Sequence, residues 1–376
     1  MRIVIFEPPD PAPDPPPFGE SRLVAGVEAA LRSRHHDVTR VHGRDAASSV
    51  SHADEVARLV AACQSDAPPD IWISCRVSDE SADDLGPTVS GALGIPYVLL
   101  QPRAGDDSGP AIRNACAGAD GIVIFSSGRA GSIGRYLTER PERLVTLSPF
   151  VDMRRVAGEI RNQPNHRATW ATKLRLSREM PWIIAAGPMT TERHLESFRT
   201  IAQAMSSLSN LAWNLVVAGS GSQSKSVADL FRHLPRARYR QVPVATEDEL
   251  FVLLLAGDLF LWPSVDEDYA ITALEAQAAG LPVVAAKSSG MLDVVANEHT
   301  GMLVKAGNIP SISNAVSFLL RHPEFRRGYC QRGPEWVAKN FDLRVVAREL
   351  DATLRRIQEM RGGATASRAA PLPPHS

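Results

Sequence analysis

Two carboxylates, Glu267 and Glu275, stand with seven residues between them in the stretch 259–290, LFLWPSVDEDYAITALEAQAAGLPVVAAKSSG. Ionised carboxylates are acceptor-only groups, so a pair of them can take hydrogen bonds from whatever a crevice holds. Around them the residues read as an apolar strand, Leu259-Phe260-Leu261-Trp262, and a polar turn at Pro263. A helix over 272–279 follows, stopped by Gly280 and Pro282, then a strand, Val283-Val284-Ala285-Ala286, and a small-residue loop, Ser288-Ser289-Gly290. With Glu267 in the loop and Glu275 two turns into the helix, both can face one crevice. The first helical amides, Ala270, Ile271 and Thr272, would then point at an anion held there. The plain alternative is an amphipathic helix with two solvated glutamates, since this spacing alone recurs by chance.

Such a unit belongs to an α/β sheet, and the rest of the chain agrees. Its 376 residues give room for two domains, each with its own core. Hydrophobic content of 44% and charged content of 22% are those of a soluble globular protein. A net charge of −1 gives no general attraction to nucleic acid or an anionic membrane. No apolar run approaches the roughly 20 residues of a membrane span, though peripheral membrane contact stays compatible with the sequence. MRIVIF is a strand's length before prolines intervene, so no signal peptide is expected. Cys63, Cys75, Cys116 and Cys330 lack metal or disulfide spacing. These features predict a reduced, cytoplasmic protein that binds no metal.

In chain order, a buried strand at 2–6 and a proline-rich connection at 8–17 precede a helix near 21–34 and a strand at 37–41. Helices over 53–63 and 85–93 alternate with strands at 71–74 and 95–100, and a polar loop spans 101–108. The stretch 154–177 is charged, weakly periodic and interrupted by Pro164, and reads as the connection between domains. Beyond it, strands at 182–186, 213–218, 239–243 and 300–304 alternate with helices, one of them capped by Thr246. The last helix, over 343–360, carries Val346, Leu350, Leu354 and Ile357 on one face, and 362–376 has the composition of a disordered tail.

The pattern P-S-x-x-E-x7-E-A-x-A-x-G-x-P-V-V, from Pro263 to Val284, resembles the signature of family 4 of the retaining nucleotide-sugar glycosyltransferases. The resemblance implies a GT-B fold: two Rossmann-like, doubly wound parallel-sheet domains facing a cleft. Residues 1–165, with the last helix (342–361) crossing back, would form the acceptor domain, and 178–341 the donor domain. It implies transfer from a UDP- or GDP-linked sugar to a glycan, lipid-linked or small-molecule acceptor, with no cofactor and no metal. Glu267 would contact the donor sugar and Glu275 the ribose hydroxyls. Gly19 matches the family's glycine beside the donor phosphates; Gly187 and Gly219 are further donor-side candidates, the Gly219-Ser220-Gly221 stretch reading mainly as a tight strand–helix turn.

Several positions depart from the family. After Gly187 it has an arginine and a lysine for the diphosphate, where this chain has Pro188 and Arg193, or Thr190 and His194 in another register. Arg193 is the expected phosphate contact, with Thr190 and His194 beside it. The family's E-G-F-G loop is Glu267-Asp268-Tyr269-Ala270, which adds Cβ atoms beside the sugar. Where many members carry a histidine in the first domain, the residues on offer are Arg76, Gln101 and Arg103, as acceptor-side candidates. These departures leave a second reading, a catalytically degenerate protein of the same fold that binds a nucleotide or a partner. Oligomeric state is open.

Overall fold

The computed structural model describes residues 1–8, 20–43, 51–64, 68–75, 77–78, 83, 85–103, 109–244, 246–263 and 270–368. Six short strands form a first parallel sheet: Arg2–Glu7 (β1), Asp37–His42 (β2), Ile71–Cys75 (β3), Tyr97–Leu100 (β4), Gly121–Ile124 (β5) and Leu144–Thr146 (β6). Six more form a second: Trp182–Ala186 (β7), Asn214–Ala218 (β8), Tyr239–Val242 (β9), Leu259–Trp262 (β10), Val283–Ala286 (β11) and Gly301–Val304 (β12). Among the described residues the orders are β2-β1-β3-β4-β5-β6 and β12-β11-β10-β7-β8-β9. Strands such as Ile71–Cys75 and Trp182–Ala186 are buried along their whole length, as parallel strands covered on both faces must be. The predicted α/β, doubly wound architecture is the observed one.

The chain divides into two compact units. Met1–Ala12, Val27–Leu147 and Arg344–Ser376 form one, and Pro13–Gly26 and Ser148–Leu343 the other. The stretch 154–177, expected to connect domains, is helical over Met153–Ile160 and Gln163–Leu174 and belongs to the second unit. Pro164 sits in the first turn of the latter helix, where its missing N–H removes no hydrogen bond. Only a few residues there are buried, Val156, Trp170 and Leu174 among them, which explains the weak periodicity. Ser288-Ser289-Gly290, read as a loop, instead opens the Ser289–Val294 helix, with Ser288 Oγ accepting from the Met291 amide at 3.3 Å. Thr246 does cap the Glu247–Leu255 helix, by accepting from the Glu249 amide at 3.1 Å.

The last helix, Leu343–Arg368, completes the first unit from Arg344 onward. Val346, Leu350, Leu354 and Ile357 are buried, and Ile357 lies so close to Gly121 that a Cβ there would overlap it. The helix runs eight residues past its expected end at 360. Arg361 pairs with Asp120 one turn beyond Ile357, extending the packing past the last apolar contact. Residues 369–376 of the expected tail lie outside the described residues. The four cysteines are free thiols, and burial pushes Cys330 up to about 11. Among the described residues no helix is long and apolar enough to cross a membrane.

A buried polar pair fastens this helix to the start of β2. His36 Nε2 lies 2.9 Å from Asp351 Oδ1, and Arg355 donates to the same carboxylate at 2.8 Å. Burial holds His36 below its ordinary 6.5. Burial works to raise Asp351, but hydrogen bonds from Arg355 and His36 hold it below the usual carboxylate range. Both groups therefore bind protons more weakly folded than unfolded, so the stability they contribute is present above pH 6.5 and is lost as pH falls. Urea midpoints should drop as pH is lowered from 8 to 5, and His36→Gln should flatten the part of that slope just below pH 6.5.

Candidate active site

In the second sheet the chain moves outward from β7 to β8 and β9, then returns to place β10 on the other flank of β7. That reversal leaves a crevice outside the carboxyl ends of β7 and β10, the place where open α/β sheets take their ligands. The two stretches singled out in the sequence flank it. β7 leads through 187–191 into the Glu192–Ser206 helix, and β10 leads into the Ala270–Ala278 helix.

Backbone contacts fix the β7 loop. Gly187 donates its N–H to the Ala218 carbonyl at 3.1 Å, and Met189 to Ser220 at 3.0 Å. The Gln223 amide donates back to Met189 at 2.7 Å, so the loop extends the strand pairing past the sheet edge. A Cβ on Gly187 would overlap the Trp262 ring at the end of β10, and one on Gly219 would overlap the Gly187 carbonyl. Both glycines, donor-side candidates in the sequence, are thus demanded by packing within the protein itself.

The Glu192–Ser206 helix opens with a reciprocal cap. Thr191 Oγ1 accepts from the His194 amide at 3.3 Å, and His194 Nδ1 accepts from the Thr191 amide at 3.3 Å. Thr190 Oγ1 lies 3.1 Å from the same ring nitrogen, so Thr190 and His194 do stand together, with the imidazole buried. In a neutral ring this bonding puts the proton on Nε2. Arg193 is exposed on the first turn, while Pro188 is buried.

Glu275 is buried, only 5% exposed, in the Ala270–Ala278 helix, with Thr272 buried a turn earlier and Ile271 half-buried. Its Oε1 is paired with the Arg22 guanidinium, which belongs to the Pro13–Gly26 segment of the same unit. Arg22 also lies 3.4 Å from Asp248, and Arg155 lies 2.5 Å from that same carboxylate. The result is a chain of alternating charges that ends on one buried carboxylate. Sequence reasoning missed Arg22 because 253 residues separate it from Glu275, and nothing local marks an arginine in a helix as its partner.

Glu267, Asp268 and Tyr269, like Gly19 and Arg76, lie outside the described residues, and of Ala270 only the backbone is described. Gln101 and Arg103 belong to the first unit, just past β4. Gln101 has φ +49°, and its Oε1 accepts from the Phe125 amide at 2.7 Å, which commits that oxygen to holding the end of β5. Arg103 is half-buried, and its amide donates to the Val77 carbonyl at 2.8 Å. Among the described residues no group of three or more His, Cys, Asp or Glu side chains is placed to hold a metal.

Two doubly wound parallel-sheet units, with a carboxylate-bearing helix at the switch point of the second, define the GT-B class of fold. Comparison with known proteins agrees. The family model for glycosyl transferases group 1 matches residues 172–336. A D-inositol 3-phosphate glycosyltransferase of Salinispora arenicola is 30% identical over 79% of this chain and 68% of its own length. Its counterpart from Salinispora tropica is 28% identical over 78% of this chain and 63% of its own, so this chain spans about two thirds of the length of these relatives. The chain belongs to the glycosyl transferases group 1 family. Among solved structures, a glycosyltransferase from Rickettsia africae superimposes with TM-score 0.76 at 14% identity, covering 95% of this chain and 98% of that one. HepE from Anabaena, solved in complex with UDP and glucose, gives 0.68 at 14% identity, covering 94% and 99%.

The contact between Gly187 and Trp262 carries a direct test. Gly187→Ala must displace the ring or the loop, an overpacking worth about 1–3 kcal/mol. Urea unfolding should show a loss of that size, and Gly158→Ala, where a Cβ meets open space within a helix, should show none.

Proposed function

We propose that this chain is a cytoplasmic glycosyltransferase that moves a sugar from a nucleotide-sugar donor, with retention of anomeric configuration and without a metal, at the switch point of the second unit. The observation that carries the reading is Glu275: a buried carboxylate within a helix that starts at the crevice, where no solvated surface glutamate would sit. Two ribose hydroxyls donating to its oxygens fit its acceptor-only chemistry. Negative charge grows on the departing diphosphate, and preorganised donors stabilise it most in a water-poor crevice. The first amides of the Glu192–Ser206 and Ala270–Ala278 helices, with Arg193, supply such donors. Glu267 takes hydroxyls of the donor sugar. The UDP and glucose of the HepE complex support a UDP-linked donor, and the names of the Salinispora relatives support a small polyol phosphate as acceptor.

Two observations favour the second reading, a binder without transfer activity. Arg22 already engages Glu275, and Pro188 stands where a cation was expected. Calorimetric titration with UDP, GDP and ADP separates the readings. The transferase reading expects micromolar affinity for one nucleotide, weakened about tenfold or more by Glu275→Ala and by Arg193→Ala, as one lost charged contact implies. Binding of a nucleotide without turnover of its sugar conjugates would leave the degenerate binder. No nucleotide binding at all would remove the transferase reading and leave a degenerate protein that binds a partner.

A further inference from the structure

A cavity of about 510 Å³ opens on the second unit at its β12 edge, with β11 between it and the crevice at β10. Its walls come from the Ile309–Arg321 and Pro323–Asn340 helices and from the turn before β12. Three aromatic rings line it: Phe318, Phe325 and Tyr329. Phe325 is 50% exposed, one of the most exposed large apolar side chains among the described residues. Its ring centroid is 5.1 Å from that of Phe318 with the planes inclined at 55°, and 6.1 Å from that of His322 with the planes at 90°, so neither ring stacks on it. Polar groups ring this apolar floor. Glu298 and Glu324 stand on the rim, and Arg332 lies over the Tyr329 ring at 5.1 Å while donating to the His299 carbonyl at 2.8 Å. Glu298 has φ +61°, a left-handed turn position that glycine or asparagine fills more easily, so a carboxylate is carried here at a conformational cost.

We propose that this groove is a second carbohydrate-binding site, one that holds a neutral oligosaccharide away from the transfer crevice. A sugar ring presents an apolar C–H face and a rim of hydroxyls. An exposed aromatic face takes the first, and carboxylate acceptors with a fixed guanidinium donor take the second. Two carboxylates against one arginine oppose an anionic ligand, and that arginine is already engaged by a ring and a carbonyl. The volume lies within the roughly 300–1,000 Å³ of small-molecule sites. The choice of a sugar over another polyhydroxyl ligand rests on the transferase reading.

Saturation-transfer NMR with maltohexaose, cellohexaose and mannohexaose, each without nucleotide, tests the groove. At least one should receive saturation at its C–H protons. Phe325→Ala should weaken the binding about tenfold, the scale of one lost aromatic platform, and Phe325→Tyr should retain it. Glu298→Gln should also weaken it while leaving the unfolding midpoint unchanged, which guards against a misfolded Phe325→Ala. Arg193→Ala, an exposed change at the nucleotide site, should leave it intact, so that failure of the nucleotide site and failure of this one read out separately. No transfer to any of the three sugars, transfer undiminished in Phe325→Ala, or transfer lost only in Arg193→Ala would each overturn the proposal.

Discussion

The site depends on how closely two loops approach at the carboxyl end of the second sheet. The β7 loop can continue its pairing with the β8 loop only if backbone meets backbone, which Gly187 and Gly219 permit and any side chain would prevent. Trp262 closes the third side by laying its ring on Gly187. This contact fixes where the Glu192–Ser206 helix begins, and so where its unsatisfied amides point. The thermodynamic weight sits in the surrounding core, where Phe198 meets Trp262 edge to face at 5.3 Å. The glycines themselves contribute precision of position.

Charge in the unit follows a different logic. A buried glutamate without a partner is strongly destabilising, and removing one member of a buried pair typically costs about 3–5 kcal/mol. Arg22 meets that demand, with Asp248 and Arg155 continuing the alternation toward solvent. A ligand that donates hydroxyls to Glu275 can share the carboxylate with Arg22, since one ionised carboxylate has room for several donors.

Much of this was legible in the sequence, and the exceptions share causes. Strands such as Trp182–Ala186 and Leu259–Trp262 are unbroken apolar runs of strand length, so their assignment rests on one local signal. The doubly wound order followed from their alternation with helices. The helices at 153–174 were missed because they bury few residues, and the Pro323–Asn340 helix because Gly328, Gly333 and an interior Pro334 disguise it. In the site, Glu275 stood out through its surroundings, and the adjacency of Thr190 and His194 follows from helical spacing. Arg22 could not stand out, because only the tertiary fold brings it to its partner. The close approach at Gly219 agrees with the tight turn read there, while the Trp262 ring against Gly187 comes from a residue 75 positions away and only the fold shows it.

The last helix gives the first unit an unusual history. Ile357 presses on Gly121, and Asp351 holds His36, yet 315 residues separate that second pair. During synthesis β1 to β6 emerge long before the last helix, whose Ile357 packs on the first residue of β5. All of the second unit except Pro13–Gly26 is made in between. The sheet made earliest is therefore finished last, and its waiting apolar face is the surface that a chaperone or a stray neighbour meets while the ribosome is still at work.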